Sequence, residues 1–210
     1  HSDSENTTIM LRKNSWSLST QIIFYNSSTD KQYAYFPPTP YTNIHDIAIS
    51  NDGSTIVSGA TEGKSNGTYE GSARVRKFNG SGWAQVGETI YGDSQNDYAS
   101  VVAINNDGTK IAVGAWRYDD SRTNNGQVRI FSLNQSDSSW NEIGDIRGTG
   151  NNYRCGTQIS MDANGNTVAI LCPGYDDNRG QVRIFDYNDG TWAQHGNVIN
   201  GENEEDHVAE

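Results

Sequence analysis

The stretch ASVVAINNDGTKIAVGA (residues 99–115) decides how the fold is read. Before its turn Val102 and Ile104 alternate with their neighbours, and after it Ile111 and Val113 do the same. A period of two marks strands, whose successive side chains point to opposite faces. The Asn-Asp-Gly between them is a tight-turn signal, because glycine takes up positive φ without steric cost. One antiparallel hairpin is expected here. On its second strand the face opposite Ile111 and Val113 holds only Ala112 and Gly114, which suits close packing against another sheet.

The same pattern occurs at HDIAISNDGSTIVSGA (45–60) and GTQISMDANGNTVAILCPG (156–174). The turn glycines Gly53, Gly108 and Gly165 stand 55 and 57 residues apart. A second block follows each hairpin: SARVRKFNGSGWAQVG (72–87), GQVRIFSLNQSDSSWNEIG (126–144) and GQVRIFDYNDGTWAQHG (180–196). In every copy a tryptophan precedes a glycine by four positions, as Trp83/Gly87, Trp140/Gly144 and Trp192/Gly196. Each unit reads as four strands, A to D, with D opening at the tryptophan. Repeated four-stranded units that cannot bury both faces alone are the signature of propeller blades. A sandwich would not require near-identical units. The expected fold is all-β, a β-propeller of four-stranded antiparallel blades, with three complete blades and partial ones at both ends.

The boundaries follow from the repeat. Residues 1–30 are expected to hold strands C and D of a partial blade, with Trp16 in the tryptophan position. Blades are expected at 44–92, 98–148 and 154–200, and 201–210 matches the approach to a further strand A. The whole of 1–210 is thus one propeller segment. The remaining blades are expected from the same longer chain or from a partner chain, because an open ring leaves sheet edges that invite pairing.

Composition narrows the function classes. The net charge is -11, which repels nucleic acid and anionic membranes. No apolar run approaches the roughly 20 residues that span a bilayer. Five tryptophans and eleven tyrosines, with regularly spaced Val and Ile, argue against disorder despite a mean hydropathy of -0.75. The chain opens on His1 with no signal-peptide pattern, so either a leader was removed or the sequence starts inside a longer one.

The segments IAVGAWRYDDSRTNNGQVRIF (111–131) and VAILCPGYDDNRGQVRIF (168–185) resemble FG-GAP repeats, the blades of the integrin α-subunit propeller. The resemblance implies an extracellular propeller working in adhesion or recognition. Calcium-binding members carry an Asp-rich loop between strands A and B. Here that place holds only NDGS, NDGT or ANGN, so the family's calcium sites do not transfer.

In such a propeller the A–B and C–D turns share one rim, and the longer B–C and D–A loops share the other. Recognition is expected on the second, since loops on a rigid scaffold are its usual seat. The repeated Tyr118-Asp119-Asp120 and Tyr175-Asp176-Asp177 lie there, with Trp116 and Tyr153. These aromatics offer area with a polar handle for a protein or glycan, or they pack between blades. Asp119, Asp120, Asp176 and Asp177 are candidate oxygen ligands for calcium; the plainer reading is that they stabilise their own turns. No other cofactor is required. Cys155 and Cys172 flank one hairpin at a spacing that suits a disulfide in an oxidising compartment. Glycosylation sequons occur at Asn6, Asn26, Asn66, Asn79 and Asn134.

Enzyme signatures are weak. Four histidines show no metal spacing, and no phosphate-cradling loop is present. The expected function is a non-catalytic extracellular binding or adhesion module. The alternatives are a structural repeat protein of a cell wall, surface layer or filament, and a carbohydrate-active enzyme on a propeller scaffold.

Overall fold

The computed structural model describes residues 7–13, 20–26, 31–35, 44–62 and 69–203, the first three stretches as backbone. Those three stretches are β1 (Thr7–Lys13), β2 (Thr20–Asn26) and β3 (Lys31–Tyr35), an antiparallel meander. β1 and β2 fall within residues 1–30, and β3, paired to the far edge of β2, is an additional strand that the sequence reading did not include. Residues 204–210, Asn6, Trp16 and Asn66 lie outside the described residues.

Three further sheets follow, one of four strands and two of five in which the outer, fourth strand is split into two pieces. Blade one comprises β4 (Ile44–Ile49), β5 (Thr55–Ala60), β6 (Ser72–Phe78) and an outer strand in two pieces, β7 (Trp83–Gln85) and β8 (Ile90–Tyr91). Blade two comprises β9 (Ala99–Ile104), β10 (Lys110–Ala115), β11 (Gln127–Asn134) and β12 (Ser139–Arg147). Blade three comprises β13 (Ile159–Met161), β14 (Thr167–Cys172), β15 (Gln181–Asn188), β16 (Thr191–Gln194) and β17 (Ile199–Asn200). Every strand pairing is antiparallel, and the main path of each sheet follows chain order as a meander, with β8 returning to β6 and β17 to β15 as second pieces of the outer strand.

The A–B turns are held by their own aspartates. Asp52 Oδ1 accepts the Ser54 N–H at 2.9 Å, Asp107 Oδ1 the Thr109 N–H at 3.0 Å, and Asp162 Oδ1 the Thr167 N–H at 2.8 Å. Gly53, Gly108 and Gly165 follow with φ of 70, 73 and 66°. The turn carboxylates are thus spent on backbone donors.

The two larger core clusters lie between blades, and a smaller one around Ile56 lies within blade one. Val57, Val75, Val102, Ile111, Val113 and Phe131 form one buried cluster, joining blades one and two. Val128, Ile130, Val168, Ile170 and Phe185 form the next, joining blades two and three. Each seam is also locked by a tryptophan. Trp140 Nε1–H donates to Val86 O at 3.0 Å, and Trp192 Nε1–H donates to Ile143 O at 3.1 Å. The glycine after each acceptor makes room for the ring: a Cβ on Gly87 would lie 2.6 Å from Trp140 Cδ1, and one on Gly144 2.4 Å from Trp192 Nε1. The Trp-to-Gly spacing of four therefore has a physical cause, in which the glycine of one blade seats the tryptophan of the next.

Arginines on strand C add a second lock. Arg129 donates from Nη2 to Tyr91 O, and Arg183 Nη1 donates to Arg147 O at 3.0 Å, each reaching the preceding blade. The inner strands β4, β9 and β13 together line one cavity of about 600 Å³. Inner strands of three successive sheets converging on one space is a radial arrangement; two facing layers would not produce it.

Candidate functional site

On the rim of the B–C and D–A loops the expected residues separate into different roles. Tyr118 is 8 % exposed and belongs to the core between blades one and two. Burial raises the pKa of its hydroxyl, and the Arg147 guanidinium lies 5.0 Å over its ring. Trp116 stays half-buried, with its ring centroid 5.6 Å from that of Tyr98. Tyr98 stacks in turn on Tyr69 at 6.2 Å, and Arg117 covers both Trp116 and Tyr98. At the next seam Tyr153 meets Tyr175 edge-on at 5.1 Å. At both seams a tyrosine of the D–A loop thus packs against an aromatic of the following B–C loop.

The acidic pairs are largely engaged by their own loops. Asp119 accepts the Asn124 N–H through Oδ1, and Asp120 pairs with Arg122 at 3.0 Å while accepting its N–H at 2.8 Å. Asp176 and Asp177 sit in a left-handed turn, φ 45 and 56°, with Asp176 3.4 Å from the Arg179 guanidinium. Among the described residues no three His, Cys, Asp or Glu side chains converge as a metal site.

Cys155 and Cys172 form a disulfide with Cα atoms 3.9 Å apart. Cys155 lies just ahead of β13, in a bridge to Gly126 of blade two, so the bond ties the incoming D–A loop to the end of β14. Asn79 and Asn134 occupy equivalent C–D turns, where their Oδ1 atoms accept the N–H groups of Ser81 and Ser136 at 3.0 and 3.1 Å. Asn26 ends β2.

Sequence reading did not single out Asp97. It is 2 % exposed and accepts the Ser94 N–H at 2.6 Å. Burial, reinforced by Asp93 and Asp119, pushes its pKa up to about 6. Asp93 itself is paired with Arg129 at 2.8 Å.

The cavity at the inner strands was not foreseen either. Blade one contributes His45 and Asp46, blade two Val101 to Ile104, and blade three Thr157 to Met161. Asp46 has both oxygens occupied, Oδ1 by the Ile47 N–H at 2.8 Å and Oδ2 by the Val102 N–H at 2.9 Å. It staples two inner strands. His45 is exposed, with Nδ1 3.4 Å from Ser100 Oγ, whose hydroxyl also lies 3.1 Å from Tyr98 O. Ser100 is fully buried and orients the ring rather than facing the cavity. Among the described residues no hydrogen bond engages the second imidazole nitrogen. The described residues that line this space include no lysine or arginine. The volume falls within the roughly 300–1,000 Å³ of small-molecule sites. Histidine is also the side chain most often used to move protons in catalysis.

Comparison with known proteins places this geometry among propellers. No family model matches the chain, and no curated protein matches it. A solved structure from Bacteroides uniformis, provisionally assigned as a 6-phosphogluconolactonase, is similar with a TM-score of 0.60 at 13% identity over 91% of this chain and 51% of its own. A provisionally assigned 6-phosphogluconolactonase from Bacteroides fragilis is similar with a TM-score of 0.58, at 13% identity over 92% of this chain and 55% of its own. TolB from Acinetobacter baumannii gives a TM-score of 0.50, at 10% identity over 90% of this chain and 41% of its own. The chain spans about half the length of the first two. At these identities the likeness is one of fold, and it does not reach as far as an FG-GAP affiliation. It does correct the functional expectation. Neighbours bearing an enzyme's name overturn the reading of a non-catalytic adhesion module, which had leaned on missing catalytic motifs and on the adhesive role of integrin-like blades.

Proposed function

We propose that these blades are part of a propeller hydrolase whose site is the inner cavity, with His45 as general base and a neutral sugar-derived lactone or ester as substrate. The observation that carries this is the oriented, exposed imidazole on the wall of a cavity built by three inner strands. The 6-phosphogluconolactonase-like neighbours support a lactone as the substrate class. The lining argues for a neutral one: its described residues include no lysine or arginine, and a chain of net charge -11 repels phosphate. In the reaction His45 takes a proton from water as the water oxygen attacks the carbonyl carbon. The tetrahedral adduct collapses with cleavage of the ring C–O bond, and the proton passes to the departing alkoxide.

The FG-GAP likeness of strands B and C fits this reading as a statement about blade type. The Cys155–Cys172 disulfide supports an extracellular, oxidising setting. No helix among the described residues is long and apolar enough to cross a membrane.

Ring opening of glucono-lactone, followed by proton release against the spontaneous rate, tests the proposal. His45→Gln is expected to lower the catalysed rate by about 10²-fold or more, and the phosphorylated lactone is expected to react no faster than the neutral one. Equal rates for both proteins on every lactone would remove the reading.

A further inference from the structure

The two seams share one construction, and its next position stands ready on blade three. At both seams the later blade supplies a tryptophan, and the earlier supplies a glycine for the ring and the preceding carbonyl for the indole N–H. In blade three the equivalent pair is His195 and Gly196. His195 N–H donates to Ile184 O at 2.8 Å, as Val86 N–H does to Val75 O at 2.9 Å, so the local backbone is alike. Yet among the described residues nothing lies within 4 Å of a Cβ built on Gly196.

The surrounding face repeats this contrast. In blade two Ala112, Val128 and Ile130 are 0 % exposed beneath blade three, and Ile146 is 8 % exposed. By strand register their counterparts in blade three are Ala169, Val182, Ile184 and Ile199. The first three are only half-buried, and Ile199 is 52 % exposed. The A–B turns also pass a hydrogen bond along the series, Asn51 N–H to Asn106 O at 2.9 Å and Asn106 N–H to Ala163 O at 3.0 Å.

We infer that the outer face of blade three is a docking surface for a further four-stranded sheet, one that brings a tryptophan onto Gly196 and its indole N–H to His195 O. The occupant is a blade of this same repeat type, because the face continues two seams in which such a blade is already seated. One residue sets this seam apart. A Cβ on Gly59 would lie 2.0 Å from Ser100 O in β9, and one on Gly114 2.3 Å from Gly156 O just ahead of β13, so at both seams the backbone at the start of the next blade's inner strand approaches to contact. Leu171 occupies that position in blade three. The incoming inner strand must stand further off, leaving a seam locked at its outer end by tryptophan and wider beside the cavity.

Two measurements test this. With the chain as it stands, millimolar indole followed by amide NMR is expected to move the Gly196 resonance. Gly87 and Gly144, whose seats are filled, should stay still, and Gly196→Val should abolish the response. No movement at Gly196, or equal movement at all three glycines, overturns the inference. In the second, residues 1–201 are followed by a second copy of residues 93–148. The melting temperature should rise by about 4 °C or more. The gain should be lost with Gly196→Val and enlarged with Leu171→Gly. An added copy that protease removes while the melting temperature stays unchanged, with Leu171 or with glycine there, also overturns it.

Discussion

At the scale of single residues, the aspartates fall into two groups with opposite pH behaviour. Hydrogen bonds from Thr109 hold the Asp107 carboxyl below its ordinary range. Its stabilising share is present above the unfolded pKa and is lost as pH falls through the lower folded value. Asp97 runs the other way. Its folded pKa of about 6 lies above the ordinary 3.8, so the folded state holds the proton more tightly than the unfolded chain does. Stability is therefore lost as pH rises from about 4 to about 6, and above that window a buried charge remains. Burial shifts Glu142 in the same direction. Asp97→Asn keeps an acceptor for the Ser94 N–H and removes the charge. Thermal melts from pH 4 to pH 8 are expected to flatten in this variant, with a gain on the order of 2 kcal/mol at pH 8. A wild-type profile unchanged by the substitution would contradict the assignment. Asp97 was invisible in the sequence because nothing local marks it: its burial comes from loops of two blades closing over it.

The strands and turns were far more legible. Alternation at Val102 and Ile104, a glycine in each A–B turn and the recurring tryptophan all act within a few residues, and the structure realises them as strands A to D. The meaning of the Trp-to-Gly spacing was not legible, because the glycine serves the tryptophan of the following unit rather than its own. That difference can be measured. Gly144→Ala places a methyl against the Trp192 indole and is expected to cost about 1–3 kcal/mol. Trp192→Phe, which loses the bond to Ile143 O, should cost about 1 kcal/mol or more. Gly82, with nothing within 4 Å of its built Cβ, is the control: Gly82→Ala should change stability by no more than about 0.5 kcal/mol. Urea denaturation of the three variants decides the ranking.

At the scale of the whole molecule, the candidate site depends on where inner strands meet, and no single segment announces that. His45 reads as an ordinary polar residue in a strand until β9 and β13 are placed beside it, which is why the sequence did not mark it as a candidate. The disulfide was legible, since both cysteines flank one hairpin. Its two positions correspond to Ala99 and Ala115 of blade two, so Cys155→Ala with Cys172→Ala gives blade three the small residues that blade two already uses. That double variant is expected to fold and to lose about 3 kcal/mol for a loop of this size, the cysteines being 17 apart in sequence. A melting temperature equal to wild type under oxidising conditions would show that the bond contributes nothing.

The tryptophan locks have a direction, and synthesis has the same one. Val86 and Gly87 leave the ribosome before Trp140, and Ile143 and Gly144 before Trp192. Each receiving groove is complete when the ring destined for it emerges, so every nascent unit lands on a finished platform. The molecule can be assembled as masonry is, course upon course, with no earlier course reopened to admit a later one.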